Sequence, residues 1–235
     1  MAKIIFNREI DKNIYYLKIA GNYQGLMGQF YMLRGWTTCH PVLGRPFSIF
    51  DLDEQAISFI YRVIGEGTQL LSRLRKDDEI ELYGPYGRGF PQAKGKIALV
   101  GGGVGLAPLY LAARELRKQR SVEAIHTYLG FQENAILIDL FDKVSHRLAI
   151  DIGGYISKMV DVNSYDYVFA CGPEEMMKAI VEQKKSERPH IFLSLEKRMG
   201  CGIGACLSCT CQTSSGNKLT CKEGPVFPGE EIYFE

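Results

Sequence analysis

The chain has 235 residues, with 28 Lys and Arg against 27 Asp and Glu, and a formal net charge of +1. This near-balance excludes the excess of positive charge that binding to nucleic acid or to an anionic membrane surface requires. Charged residues from Lys3 onward exclude a secretory signal, and no apolar stretch approaches the roughly 20 residues of a membrane helix. These features predict a cytoplasmic protein with one large domain or two compact ones.

The chain up to about residue 84 has the pattern of short strands. Residues 14–19, 29–33 and 56–63 are rich in β-branched and aromatic side chains, and turn residues separate them. Several short strands at this spacing predict an antiparallel β-barrel. One helix is expected at residues 68–75, with Thr68 as its N-cap.

The pattern changes near residue 94, because residues 97–100 form the unbroken apolar run of a strand covered on both faces. Strands and helices then alternate, at residues 106–119, 124–129, 165–170 and 174–183. Such alternation predicts an α/β domain with a parallel sheet. We therefore predict three parts: a barrel over residues 1–93, an α/β nucleotide-binding domain over 94–192, and a small cysteine-rich segment over 193–235.

Five of the seven cysteines lie between residues 201 and 221. Three of them follow the spacing of plant-type ferredoxins, which hold a 2Fe–2S cluster on four thiolates. Glycines beside them would let the loop wrap closely around a cluster and direct backbone amides at the sulfurs. We predict that the cluster ligands are Cys201, Cys206, Cys209 and Cys221. A four-cysteine zinc site and unliganded thiols are the alternatives.

Two further cysteines have other expected roles. Cys211 competes with Cys209 as the third ligand, although the two-residue spacing after Cys206 favours Cys209. Cys39 is remote in sequence from this cluster, and we expect it to be a small buried side chain.

A glycine-rich turn, GGGVGLAP at residues 101–108, lies between a predicted strand and a predicted helix. Gly102, Gly103 and Gly105 would let the backbone approach a pyrophosphate, whose charge the amides at the helix start would bind. Cys171 and Gly172 end a second strand at the edge of the sheet where ligands bind. A tight packing turn is the alternative for the glycines, and a buried apolar thiol is the alternative for Cys171.

The predicted barrel contains two candidate phosphate sites. The first combines a guanidinium fork with an aromatic ring and a hydroxyl, in Arg45, Pro46, Phe47 and Ser48. The second is the turn at residues 65–68, which precedes a helix. A solvated charge is the alternative for Arg45. In the α/β part, Glu133 suits a ribose hydroxyl and favours NAD over NADP, with a solvated loop charge as its alternative.

Taken in order, these segments resemble the ferredoxin reductase-like flavoproteins, in which a β-barrel binds FAD and an α/β domain binds a pyridine nucleotide. With the cysteine loop, nearly the whole chain resembles electron-transfer subunits of NAD-dependent dihydroorotate dehydrogenases, down to residues 194–206 and 221–227. The resemblance implies FAD contacts at residues 45–48 and also at Tyr61, Arg62, Val63, Ile64, Gly67 and Thr68. Two departures are Met27, where the family has Pro, and a compressed segment between Leu148 and Asn163.

The resemblance also implies a function. A nicotinamide exchanges electrons in pairs and a cluster takes one at a time, so a chain that uses both needs a flavin between them. The implied cofactors are FAD, a 2Fe–2S cluster and NAD, with Cys171 near the nicotinamide and no catalytic side chain. The implied partner is a flavin-containing dihydroorotate dehydrogenase catalytic subunit, in a heterotetramer with two of each chain. The alternatives are a subunit of another NAD(P)H-linked redox complex and a zinc-stabilised nucleotide-binding regulatory module.

Overall fold

A computed structural model describes residues 1–37 and 39–234 of the chain. Its first sheet is antiparallel and has seven strands in the order β4-β3-β7-β1-β2-β6-β5. The strands are β1 (Ala2–Asp11), β2 (Ile14–Ala20), β3 (Phe30–Arg34), β4 (Arg45–Ser48), β5 (Asp51–Leu52), β6 (Ala56–Arg62) and β7 (Glu79–Tyr86).

The first sheet closes on itself where the chain leaves β4. The N–H of Ile49 donates to the carbonyl of Gln29 at 3.0 Å, and the N–H of Phe50 donates to the carbonyl of Ser58 at 2.9 Å. Gln29 immediately precedes β3 and Ser58 lies in β6, so these two bonds link strands from opposite ends of the order. Ile49 and Phe50 are completely buried in the core that the sheet encloses. The predicted antiparallel barrel is confirmed.

The helix of the barrel, α1 (Glu66–Arg73), begins two residues before the predicted start. Its N-cap is Gly65, and Thr68 is the third helical residue. The Thr68 hydroxyl oxygen accepts the N–H of Ile64 at 3.0 Å and that of Gly65 at 3.1 Å. The prediction of Thr68 as the N-cap was therefore wrong, because its side chain folds back onto the preceding turn from inside the helix, as in a capping box.

The second sheet has six strands in the order β10-β9-β8-β11-β12-β15. Its elements are β8 (Gly95–Gly102), α2 (Ala107–Arg117), β9 (Val122–Phe131), α3 (Ile138–Val144), β10 (Arg147–Ile152), β11 (Tyr167–Cys171), α4 (Glu174–Glu182), β12 (His190–Ser194) and β15 (Val226–Pro228). All neighbouring strands are parallel except β12 and β15. The predicted α/β domain is confirmed. No helix in the described residues has the length and apolarity of a membrane span.

Strand β8 lies between β9 and β11, so the chain leaves it toward one side of the sheet and later returns on the other. Cys171, at the carboxyl end of β11, is paired with Gly101 near the carboxyl end of β8. This is a topological switch point, the place where open α/β sheets bind ligands. A 3₁₀ turn at Gly103–Leu106 separates β8 from α2.

The cysteine-rich segment is joined to the α/β sheet. It forms a hairpin of β13 (Thr210–Thr213) and β14 (Gly216–Leu219), and then β15 pairs with β12, with Phe227 opposite Leu193. The expected domain limit after residue 192 falls inside β12, because that strand continues to Ser194. The three domain ranges stay predictions from the sequence.

Candidate functional site

Arg45 lies against the first turn of α1. A Cβ atom on Gly67 would come within 2.7 Å of Arg45 Nε, so glycine leaves the space that the guanidinium fills. Arg45 Nη1 donates to the carbonyl of Leu43 at 2.6 Å, and the guanidinium lies 5.8 Å from the centre of the Trp36 ring. A fixed guanidinium beside the free amides of a helix N-terminus is an arrangement that binds phosphate.

The other barrel residues predicted to contact FAD divide into exposed and buried ones. Tyr61 is 2% exposed, and its hydroxyl donates to Asn7 Oδ1 at 3.0 Å, so its phenol belongs to the core. Burial raises the Tyr61 pKa above its ordinary value of 10.0. Phe47 packs on this ring at 5.3 Å between centroids and remains half-buried. Arg62 and Ile64, the latter 83% exposed, reach the rim of the barrel.

The two turns at the switch point pack directly on each other. A Cβ on Gly105 would lie 2.3 Å from the Cys171 carbonyl oxygen, and one on Gly172 would lie 2.9 Å from Gly102 Cα. Packing therefore accounts for glycine at positions 105 and 172. Gly103 differs, because it has a φ of +54° and the nearest atom to a Cβ there would be Arg62 Nη2 at 3.7 Å. The structure thus brings the rim of the barrel to the predicted nucleotide turn.

An acidic residue that the sequence analysis missed lies at the same place. Glu196 lies two residues after the end of β12, and its side chain is accessible to solvent. Desolvation by the surrounding protein raises the pKa of its carboxyl group, and the charge of Arg62 partly offsets this. Burial, and next the charge of Glu196, raise the pKa of the Cys171 thiol. Arg62, Cys171 and Glu196 therefore interact across the line where the two sheets meet. The sequence shows only that Glu196 comes just after a predicted strand, and this position does not indicate its interaction with Arg62.

The cysteine loop directs backbone amides at its sulfurs. Cys201 Sγ accepts N–H groups at 3.3 to 3.5 Å, and Cys209 Sγ accepts the N–H of Cys221 at 3.4 Å. Within the described residues no three potential ligands converge as they do around a bound metal. Backbone hydrogen bonds lower the pKa of Cys201, and hydrogen bonds from Ser208 lower that of Cys206 to about 6. Burial raises the pKa of Cys221 to about 12. Four thiols on one amide-lined loop are a donor set that fits an iron–sulfur cluster.

This loop packs on the barrel. A Cβ on Gly202, whose φ is +74°, would lie 2.8 Å from Met32 Cγ, and Met32 shares a buried cluster with Cys209 and Cys221. Met32 in β3 is also paired with Pro46 in β4. The predicted cluster ligands therefore lie one strand away from the segment that carries Arg45.

The remaining cysteines lie apart from this group. Cys211 is buried and its thiol donates to the Lys218 carbonyl at 3.5 Å. It packs with Phe227 in the core of the α/β part. Cys39 is exposed, so the expectation that it is buried was wrong. It lies in the loop between β3 and β4, outside both strands.

The chain is similar to known proteins along nearly its whole length. A family model described as the iron–sulfur cluster binding domain of dihydroorotate dehydrogenase B matches residues 196–233. The electron transfer subunit of dihydroorotate dehydrogenase B (NAD(+)) from Clostridium acetobutylicum is 41% identical, over 99% of this chain and 96% of that protein. The subunit of the same name from Clostridium perfringens is 38% identical, over 99% and 97%.

Solved structures have the same architecture. The structure of an NADH-dependent reduced ferredoxin–NADP oxidoreductase has a TM-score of 0.88 and 27% identity, covering 99% of this chain and 90% of that one. The ferredoxin reductase of carbazole 1,9a-dioxygenase, at a TM-score of 0.63 and 20% identity over 77% and 63%, shares the fold alone. These likenesses confirm the predicted superfamily, fold and iron–sulfur segment. With 41% identity across both full lengths, the chain belongs to the family of electron transfer subunits of dihydroorotate dehydrogenase B (NAD(+)).

Proposed function

We propose that this chain passes electrons from dihydroorotate, oxidised in a partner catalytic subunit, through a 2Fe–2S cluster and FAD to NAD⁺, in pyrimidine biosynthesis. The observation that carries the proposal is the packing of the cysteine loop on β3, beside the strand that presents Arg45, in a chain of this family. That packing would bring the proposed cluster ligands close to the proposed flavin site. The switch point, where Gly103 faces Arg62, supports a nicotinamide site on the other side of the flavin.

We assign a separate set of residues to each of the three cofactors, FAD, NAD and the 2Fe–2S cluster. Arg45 and the first turn of α1, with Gly67 and Thr68, would hold the phosphates of FAD, while Phe47, Ser48 and residues 62–64 border the flavin. The turns at residues 102–105 and 171–172 would hold NAD, and Cys201, Cys206, Cys209 and Cys221 would hold the iron. When bound, FAD exchanges a hydride with the nicotinamide and single electrons with the cluster. The side chains position these groups and exclude water between them.

Exposed apolar side chains beside the cysteine loop support a protein partner at this face. Val42 is 64% exposed, Ile203 59% and Leu207 62%. Leu43, 48% exposed, adjoins the loop, because a Cβ on Gly200 would lie 3.6 Å from its side chain. Apolar groups gathered on a surface mark interaction sites. We propose that the flavin-containing catalytic subunit binds here, in a cytoplasmic heterotetramer with two of each chain.

A second candidate function is electron transfer in a different NAD(P)H-linked complex. The 27% identity to the NADH-dependent ferredoxin–NADP oxidoreductase favours it, since that likeness also spans 99% of the chain. The 41% identity to the dihydroorotate dehydrogenase subunit is higher over the same span. The zinc-stabilised regulatory module is disfavoured, because the family model for the cysteine segment is an iron–sulfur one.

The cluster ligands can be tested by Cys206→Ser, with Cys211→Ser as the matched control. The chain is co-expressed with its dihydroorotate dehydrogenase catalytic subunit, and iron, acid-labile sulfide and dihydroorotate-dependent NAD⁺ reduction are measured. We expect Cys206→Ser to lose the cluster and this activity while keeping FAD and NADH oxidation by an artificial acceptor. Cys211→Ser keeps all of them. A fully loaded wild-type complex without dihydroorotate activity would instead favour the other redox complex.

The flavin site can be tested by Arg45→Gln, with Arg73→Gln in the exposed last turn of α1 as the control. Loss of a charge-assisted phosphate contact lowers affinity by about tenfold or more. We expect Arg45→Gln to release FAD on gel filtration while the control keeps it. Equal flavin content in both variants would refute the assignment of Arg45.

A further inference from the structure

A cavity lies at the amino end of the parallel sheet and has no part in the proposed electron path. Its volume is about 520 Å³, within the range of small-molecule sites. Its lining includes Lys96 from β8, His126 from β9, Arg147 from β10, and Asp161, Ser164 and Tyr165 from the connection that follows β10. Lys96 lies six residues before Gly102 along β8, so the cavity is roughly 20 Å from the switch point.

The connection between β10 and β11 forms one wall of the cavity and has no α-helix. It contains two 3₁₀ turns, Ile156–Met159 and Val162–Ser164, in place of the α-helix that usually joins parallel strands. Buried side chains of this connection, Ile156, Val160 and Val162, pack against the sheet. The starts of β8 and β10 are left open to solvent, and Lys96 and Arg147 are exposed there. This is the compressed segment noted in the sequence.

A chain of hydrogen bonds fixes the proton on His126. The hydroxyls of Tyr128 and Tyr165 lie 2.7 Å apart, and the Tyr165 hydroxyl lies 2.9 Å from His126 Nδ1. If Nδ1 carried the proton and donated, three hydrogens would share two contacts, and the hydroxyl hydrogen of either Tyr128 or Tyr165 would have no acceptor among the described residues. Because an unmade buried donor is costly, Tyr128 donates to Tyr165 and Tyr165 donates to Nδ1. The proton of the neutral ring is then on Nε2, which becomes a hydrogen-bond donor.

The charges around this donor suit an anion. Lys96 and Arg147 have no carboxylate within 4 Å in the part of the chain that the structure describes. Burial, and next the charges of Arg147, His146 and Lys96, lower the pKa of His126, so its ring is neutral at pH 7. Two cations and one N–H group are typical donors for a phosphate. Asp161, which accepts the Ser164 hydroxyl at 2.6 Å, offers a carboxylate for the hydroxyls of a sugar.

We propose that this cavity binds a phosphorylated sugar, with its phosphate on Lys96, Arg147 and His126 and its hydroxyls on Asp161 and Ser164. The site is separate from that of NAD. The alternative is that the hydrogen bonds of Tyr128, Tyr165 and His126 only hold the β10–β11 connection on the sheet. In that case no sugar phosphate would bind.

The first test is titration calorimetry on the complex with its catalytic subunit. Ribose 5-phosphate, inorganic phosphate and ribose serve as probes, each at millimolar concentration. We expect ribose 5-phosphate to bind more tightly than phosphate, ribose not to bind, and saturating NAD⁺ to leave the affinity unchanged. No binding of ribose 5-phosphate, or its displacement by NAD⁺, would overturn the proposal.

Variants of the lining residues test whether ribose 5-phosphate binds in this cavity. Lys96→Gln and Arg147→Gln should each lower the affinity for ribose 5-phosphate by about tenfold or more, because each removes a charged phosphate contact. Lys94→Gln, an equal charge change two residues away and outside the cavity, should leave it unchanged. Tyr165→Phe should also weaken binding. In ¹⁵N spectra, His126 should be protonated at Nε2 in the wild type, and it should be a mixture of the Nδ1 and Nε2 tautomers in this variant. NADH oxidation by all four variants confirms that they fold. Wild-type affinity in Lys96→Gln and Arg147→Gln would refute the site.

Discussion

Gly105 shows how closely two turns approach at the switch point. A methyl group at this position would lie 2.3 Å from a backbone oxygen of Cys171, which cannot move without displacing β11. We expect Gly105→Ala to lower the free energy of unfolding by about 1–3 kcal/mol, the usual cost of overpacking. Urea denaturation measures it. Gly65→Ala, where nothing lies within 4 Å of the added carbon, should cost less than about 1 kcal/mol. An equal loss in both variants would contradict this explanation.

His126 makes stability depend on pH in a definite direction. Its pKa in the folded chain is lowered from 6.5, first by burial and then by the charge of Arg147. The unfolded chain therefore binds this proton at higher pH than the folded chain does. The free energy of unfolding should then fall as pH decreases through about 6.5 and be insensitive to this group at about pH 7.5.

The measurement compares urea unfolding at about pH 7.5 and about pH 5.5. The difference between the two should be smaller in His126→Gln than in the wild type. His190→Gln, which changes an exposed histidine, should keep the wild-type difference. The same difference in all three proteins would exclude His126 as the source.

At the scale of elements, α1 is held at its carboxyl end by a side chain from a distant strand. Asn7 in β1 donates through Nδ2 to the carbonyls of Leu71 at 2.7 Å and Leu74 at 3.2 Å, and it accepts the hydroxyl of Tyr61. These bonds add a second donor to two carbonyls at the carboxyl end of the helix, where intrahelical partners run out. The opposite end of α1 carries Gly67, against which Arg45 rests.

We therefore expect Asn7→Ala to weaken both the fold and flavin binding. It should lower the free energy of unfolding by about 1–3 kcal/mol, because it leaves the buried hydroxyl of Tyr61 without its acceptor and removes one hydrogen bond from each of two carbonyls. FAD should also dissociate more readily, as α1 loses its fixed position. Urea denaturation and flavin fluorescence measure the two effects. Asn134→Ala, which removes an exposed bond to Asp11, is the control and should change neither. Unaltered FAD affinity in Asn7→Ala would show that the position of α1 does not influence flavin binding.

Local patterns were sufficient to predict most elements and the iron–sulfur segment. The strands at residues 14–19 and 97–100 were evident because alternation and apolar runs are properties of short segments. Thr68 was misplaced because a threonine three residues into a helix carries the same signal as one that caps it. Asn7, Glu196 and the pairing of β15 with β12 could not be predicted, since each depends on chain segments that only the folded topology brings together.

At the scale of the whole molecule, the barrel and the α/β sheet must keep one relative position, because hydride transfer needs the reacting atoms about 3–3.5 Å apart. Two aromatic stacks cross the boundary, Phe50 on Tyr110 at 4.6 Å and Phe90 on Phe169 at 4.5 Å. Arg114 of α2 adds a partly buried polar contact. Its guanidinium donates to the Asp51 carboxylate and to the Leu52 carbonyl of β5, and all three groups are partly buried.

Arg114→Met keeps much of the side chain's bulk but removes both donors. We expect a loss of about 1–3 kcal/mol in the free energy of unfolding, because Asp51 loses its ion pair. For a chain of this length that lowers the melting temperature by roughly 2–4 °C per kcal/mol. Stopped-flow reduction of FAD by NADH should slow while FAD and iron contents stay constant, since the two halves lose their fixed alignment. Arg117→Met removes a contact to Val144 inside the α/β part, so it should leave flavin reduction unchanged. Equal rates in the two variants would show that Arg114 stabilises the fold without aligning the nicotinamide and flavin sites.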